Sequence, residues 1–196
     1  MSITRPFIVG IGGTTRPGST TERALAAALA HAGTLGCETE LFGAGAMPTE
    51  SYDPSRPERS EQALALIAAV RRADGVIIAT PSYHGGISGL VKNAIDFIED
   101  TRDDEAPYFE GRAIGLIVCA DGAQAMGTTL ISMRAVVHAL RGWPTPYGAT
   151  LLSSSQPFGS KTSPDADPAA IQACELVGRE VAWFARMAKP PLTPAT

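Results

Sequence analysis

Three apolar runs in this chain lack the alternation of a half-exposed strand. They are Phe7-Ile8-Val9-Gly10-Ile11, Val76-Ile77-Ile78-Ala79-Thr80, and the run from Arg112 to Ala120. Each is too short for a helix buried all round, and each is rich in β-branched residues. Strands of this kind are covered on both faces, the condition of the interior of a parallel sheet. Helical patterns fill the intervals. One starts at Glu22 and stops near Gly33 and Gly36. A second, over 57–73, puts Leu64, Ile67 and Val70 on one face. A third, over 89–100, is capped by Ser88. A fourth carries Leu130, Met133, Val136, Val137 and Leu140 and ends near Gly142. The last begins with Asp167 as N-cap and Pro168 at N1, and turns Ile171, Cys174, Val177, Val181 and Phe184 to the core. Weaker strand patterns occupy 37–42 and 147–152. Five strands alternating with five helices predict right-handed βαβ units in a doubly wound five-stranded parallel α/β sheet, with helices on both faces.

The first, third and fourth of these strands each empty into a loop of small residues, at 13–21, 81–86 and 121–127. Ligands of doubly wound sheets bind beyond the carboxyl ends of the strands, so the three loops predict one shared site. Loop 13–21 is the most telling. It leads from a strand into a helix N-terminus, where unpaired backbone N–H groups and the helix dipole favour an anion. Ser19 and Glu22 also fit a capping box. A well-capped first helix is the plainer reading, but the hydroxyls of Thr14, Thr15, Ser19, Thr20 and Thr21 exceed what capping needs. Gly10-Ile11-Gly12 opens a dinucleotide fingerprint that fails at Thr15, where glycine is required. Gly13 and Gly18 have the spacing of a P-loop, but Ser19 stands in place of its lysine. A hydroxyl-rich loop with a single arginine, Arg16, suits one terminal monophosphate such as that of FMN.

At 196 residues the chain is sized for one domain, taken as 1–189, with a proline-rich tail at 190–196 read as extended or disordered. A formal net charge of −4 argues against a nucleic-acid partner. No apolar run approaches the roughly 20 residues of a membrane span, and the first residues show no secretory pattern. The expected location is cytoplasmic. Cys37, Cys119 and Cys174 form no zinc spacing and read as buried reduced thiols, and His31, His84 and His138 join no ligand cluster, so no metal is expected. Trp143 and Trp183 are read as core or subunit-interface residues, and the methionines as core filler.

Two stretches carry a resemblance. Gly13-Thr14-Thr15-Arg16-Pro17-Gly18-Ser19 resembles the G-S-x-R-x-x-S signature of the flavodoxin-like NAD(P)H-dependent FMN reductases. The stretch from Thr80 through Asp96 resembles that family's P-x-Y followed by P-G-x-L-K-N-x-x-D. Thr14 replaces the usual serine, and Ser88 stands where the family has proline. The resemblance implies a flavodoxin-like fold, bound FMN, NADPH or NADH as reductant, and homodimers or homotetramers. It implies that Arg16, Ser19 and Thr21 hold the FMN phosphate, with Thr14 assisting and Thr20 in the same hydroxyl set. Pro81, Ser82, Tyr83, His84 and Gly85 would wrap the isoalloxazine, and Asp121, Gly122 and Gln124 would close its other edge. Tyr83 either stacks on the ring or fills space beside the next helix, and His84 is either a solvated loop residue or a proton donor. Lys92 and Asn93 would brace the helix. No catalytic side chain is required, because the cofactor carries the chemistry. The expected activity is hydride transfer from nicotinamide to FMN and then to a second acceptor, free flavin for a partner monooxygenase. Quinone, azo-compound or metal-oxyanion reduction and a flavodoxin-type electron carrier are the alternatives.

Overall fold

The computed structural model describes residues 5–159 and 164–188, so the expectation for 190–196 lies outside the described residues. The strands are β1 (Phe7–Gly12), β2 (Glu38–Phe42), β3 (Gly75–Tyr83), β4 (Gly86–Ile87), β5 (Ala113–Ala120) and β6 (Trp143–Leu152). The helices are α1 (Thr20–Thr34), α2 (Glu61–Arg72), α3 (Gly89–Asp96), α4 (Ala123–Ala139) and α5 (Pro168–Met187). Five strands form a parallel sheet in the order β2-β1-β3-β5-β6, and the two-residue β4 pairs antiparallel with the end of β3. This is the flavodoxin-like doubly wound order, and its switch point lies between β1 and β3.

The lack of alternation in the central strands has a direct cause. Val76 and Ile78 of β3 pack with residues of α2, α3 and α4, while Ile77 and Ala79 pack with residues of α1 and α5. In β5, Leu116 and Val118 join the first layer, and Ile117 and Cys119 join the second. Period-2 geometry still sorts the side chains, but both sides are core. On the second layer α1 and α5 approach closely at Gly178, where an added Cβ would lie 2.2 Å from the Ala28 carbonyl oxygen.

Several boundaries differ from the sequence reading. α2 starts at Glu61 rather than 57, because Ser60 supplies the cap: its Oγ accepts the Ala63 N–H at 3.2 Å. Leu64 is exposed, while Ile67 and Val70 are buried as expected. α3 ends at Asp96 and tightens into a 3-10 turn over Phe97–Thr101. β6 begins at Trp143, four residues early, despite Pro144 and Pro146. It lies at the sheet edge, where a missing N–H is tolerated, and its pairing with β5 is irregular between Ile114 and Leu116. Neither Trp143 nor Trp183 is a core residue: they are 62% and 63% exposed, so that half of the expectation is corrected. Met47 and Met133 are core filler, but Met187 is exposed. All three cysteines are buried free thiols.

Candidate functional site

β1 terminates against β3. A Cβ on Gly12 would meet the Ala79 carbonyl oxygen at 2.0 Å, and Gly12, Gly13 and Gly18 all have positive φ. The loop between them therefore turns sharply off the sheet. Thr14 Oγ1 accepts the Arg16 N–H at 3.1 Å and donates to the Arg16 carbonyl at 3.2 Å, which bends the loop. Ser19 is the N-cap of α1, its Oγ accepting the Glu22 N–H at 3.3 Å. The reciprocal half of the expected capping box is displaced by one residue: Glu22 Oε2 accepts the N–H of Gly18, at 2.8 Å, rather than that of Ser19. The Ser19 N–H is thereby left, with those of Thr20 and Thr21 in the first helical turn, without an acceptor among the described residues. Arg16 is exposed, and its guanidinium has no hydrogen-bond or ion-pair partner among them.

β3 continues through Pro81 and Ser82 to Tyr83, then reverses into β4. His84 and Gly85 form the two-residue turn, with φ of 54° and 78°, the signature of a type I′ hairpin. Three contacts fasten this hairpin to α4. Ser82 Oγ lies 2.7 Å from Thr129 Oγ1 and 3.2 Å from the Ala125 carbonyl, and Thr128 Oγ1 donates to the Gly85 carbonyl at 3.3 Å. Behind the hairpin, Thr80 Oγ1 accepts the Ser88 N–H at 3.0 Å, and Ser88 Oγ caps α3.

The expected loop 121–127 is mostly helix. α4 begins at Ala123 behind Gly122, which as N-cap offers no side-chain acceptor, so two helix N-termini open toward one space. That space is a cavity of about 490 Å³, within the range of small-molecule sites. From the first loop it is lined by Thr14, Arg16, Ser19, Thr20 and Thr21, from the second by Pro81, Ser82 and Tyr83, and from the third by Asp121 and Gly122. His84, Gly85 and Gln124 do not line it. Cys119, Ala120, Ala125 and Ser153 do, though sequence reasoning passed them over. Ser153 was legible in principle: it directly follows β6, another strand ending on the same side.

Tyr83 is 58% exposed at the cavity, which removes the space-filling reading of its ring. Arg16 is the single cation among the described lining residues. Arg23 of α1 turns away, bonding the carbonyls of Phe158 and Gly159. Burial pushes the Cys119 thiol up to about 11, opposed by its hydrogen bond with the buried Thr21 hydroxyl. It lines the cavity as an inert thiol. Lys92 pairs with Asp96 on the surface of α3 at 2.6 Å. Asn93 does more than brace its helix. Its Nδ2 donates to the Pro48 and Glu50 carbonyls and its Oδ1 accepts the Tyr52 N–H, so it fastens the β2–α2 connection. Among the described residues no three His, Cys, Asp or Glu side chains gather as metal ligands, and no helix is long and apolar enough to cross a membrane.

Fold and cavity together define a doubly wound α/β protein with an anion-ready pocket at its topological switch point. The chain belongs to the NADPH-dependent FMN reductase family, which it matches over residues 6–156. A curated relative, the FMN-dependent NADPH-azoreductase of Staphylococcus aureus (strain USA300), is 31% identical over 121 residues, 59% of this chain and 61% of that protein. The match thus spans about three fifths of that relative's length. Among solved structures, RosB with the bound intermediate 8-demethyl-8-formylriboflavin-5'-phosphate aligns with TM-score 0.72 at 14% identity, covering 93% of this chain and 79% of RosB. FerB, the flavoenzyme NAD(P)H:(acceptor) oxidoreductase from Paracoccus denitrificans, aligns with TM-score 0.70 at 18% identity, covering 91% and 97%. At these identities the structural likeness is one of fold.

Proposed function

We propose that the cavity holds FMN and that the protein is an NAD(P)H-dependent FMN reductase that passes electrons to a small-molecule acceptor. The observation that carries this reading is the donor set of the first loop. Three backbone N–H groups, at Ser19, Thr20 and Thr21, and the guanidinium of Arg16 stand together without acceptors or partners among the described residues. That set fits a dianionic monophosphate and offers too little positive charge for a triphosphate.

When bound, FMN supplies the redox chemistry, hydride acceptance from a nicotinamide and delivery to a second acceptor. The protein binds and orients. Arg16 and the α1 N-terminus hold the phosphate, with Thr14 shaping the loop. Pro81, Ser82 and Tyr83 form one wall for the ring and Asp121, Gly122 and Ala125 the other, with His84 and Gly85 shaping the first wall from outside as its turn. The uncapped N-terminus of α4 directs N–H groups to that side, where they stabilise negative charge developing on the ring. No general acid or base is needed in this scheme, in keeping with a lining whose titratable side chains are Arg16, Asp121, Tyr83 and the inert Cys119.

Free flavin, supplied to a partner monooxygenase, is the acceptor we place first. Azo compounds are the second reading, favoured by the likeness to the S. aureus azoreductase. A flavodoxin-type carrier ranks last, because the Arg16 loop resembles that of the reductases. A homodimer or homotetramer in the cytoplasm completes the proposal. The test is anaerobic mixing of the protein with FMN and NADPH or NADH while following the flavin's yellow absorbance. Rapid bleaching is expected, and reoxidation by free flavin, quinone or azo dye then ranks the acceptors. Flavin that binds but stays yellow with both nucleotides would refute the reductase.

A further inference from the structure

Glu22 occupies an unexpected place for a carboxylate. It sits in the first turn of α1, beside the donors read above as the phosphate site, where a negative charge repels the ligand. Its two oxygens are committed elsewhere. Oε2 accepts the Gly18 N–H at 2.8 Å, and Oε1 accepts the Ala44 N–H at 3.3 Å. Gly18 is the left-handed residue, φ 68°, immediately before the N-cap. Ala44 lies just after β2, in a separate part of the chain. One side chain therefore ties the phosphate loop to the turn that follows the neighbouring strand. The fit is close from the far side as well: a Cβ on Gly43 would stand 2.4 Å from Glu22 Oε1. Because the carboxylate takes the Gly18 N–H rather than that of Ser19, the Ser19 N–H joins those of Thr20 and Thr21 as a donor without an acceptor among the described residues.

We propose that Glu22 is a positioning residue that clamps Gly18 to the Gly43–Ala44 turn and thereby gives the site its preference for FMN over unphosphorylated riboflavin. This rests on the reading of loop 14–21 as the FMN phosphate site. The clamp acts only on the phosphate end. Its loss leaves the hairpin at Tyr83–Gly86 and the start of α4 intact, so binding of the ring is preserved.

Dissociation constants for FMN and for riboflavin, measured by quenching of flavin fluorescence, test this on the wild type and on Glu22→Ala, Glu22→Gln and Gly43→Ala. The last variant displaces the carboxylate from the β2 side without touching α1, and it meets only flexible side-chain ends, those of Glu22 and Leu41. Glu22→Ala and Gly43→Ala should each weaken FMN binding roughly tenfold, the loss of one hydrogen bond to a charged group. Riboflavin affinity should stay within about twofold, and the double variant should be no weaker than the worse single, as for two changes acting through one contact. Glu22→Gln, which keeps one acceptor oxygen, should fall between. FMN affinity unchanged or tighter in Glu22→Ala would overturn the clamp, leaving the carboxylate as repulsion alone. Parallel loss of FMN and riboflavin would overturn it in favour of a general structural role. A wild type that binds neither flavin would remove the phosphate-site reading itself.

Discussion

Replacing Arg16 by alanine separates binding from folding in a single variant. The side chain is exposed and touches no described polar group, so its removal should leave thermal stability within about 0.5 kcal/mol. Its value lies in the ligand. A guanidinium and a phosphate about 4 Å apart attract by roughly 1 kcal/mol at the dielectric of water and roughly 4 at that of a protein surface. A charge-assisted hydrogen bond contributes about 1.5–3 kcal/mol net. An open, exposed position takes the lower part of these ranges, about 1–3 kcal/mol, or a 5- to 150-fold weaker FMN complex. Riboflavin, lacking the phosphate, should bind both proteins alike. Titration calorimetry at two salt concentrations is the assay. Wild-type affinity for FMN should fall with salt, and the variant's should fall less, because screening acts on the charge that was removed. Equal loss of FMN and riboflavin affinity, or no loss of either, would refute the assignment of Arg16 to a phosphate.

Four further outcomes are expected. Gly178→Ala drives a methyl into the Ala28 carbonyl, so α5 must move off α1; overpacking of about 1–3 kcal/mol should lower Tm by roughly 2–12 °C. An unchanged melt would show that the helix pair slides freely. Burial raises the Cys119 thiol to about 11 and the Cys174 thiol to about 12, from an ordinary 9.0. The folded state thus keeps protons that the unfolded chain releases. The stability they contribute is fully present below pH 9.0 and is lost as pH climbs toward 11 and 12, readable as a falling urea midpoint. His84→Asn suits the left-handed turn position better and should stabilise by up to about 1 kcal/mol with flavin turnover unchanged; collapse of turnover would make the imidazole a proton donor. Amide hydrogen exchange should be faster over 122–128 than over 20–29, since the first turns of α4 are exposed and uncapped while α1 is packed under α5. Equal protection would contradict that difference.

The sheet and most of the site were readable because they depend on residue types with narrow backbone meaning. Gly12, Gly13 and Gly18 announce a loop that only glycine can trace, and unbroken β-branched runs announce strands buried on both sides. The misreadings fall where tertiary context overrides local preference. Gly122 and Gly127 made 121–127 look like coil, yet helix α4 absorbs Gly127 at a cost of about 1 kcal/mol. Pro144 and Pro146 hid the first half of β6, which the sheet edge tolerates. Cys119 was rightly placed in the core, but as the next-to-last residue of β5 it is also at the cavity floor. His84 and Gly85 were placed in the site by position in a motif. They form the turn of the hairpin, and neither lines the cavity, a consequence of three-dimensional register that no motif spacing contains.

The two ends of the cavity are built differently, and this bears on what each can discriminate. The end proposed to hold the phosphate rests on α1, whose buried face (Ala24, Leu25, Ala28) is locked against α5 and whose entry is fixed by Glu22, so its donors are preorganised. The end proposed for the ring rests on a hairpin with a two-residue turn, joined to α4 by hydroxyl contacts from Ser82, Thr128 and Thr129. Around those contacts His84, Ala123, Gln124 and Thr128 are exposed, and Tyr83 stands open beside them. Selectivity by binding requires groups held in place before the ligand arrives, and the end proposed for the phosphate provides more of them. In the proposed reductase, recognition of the cofactor and tolerance of varied acceptors therefore arise from the same asymmetry, a rigid anion cradle facing a loosely fastened aromatic rim.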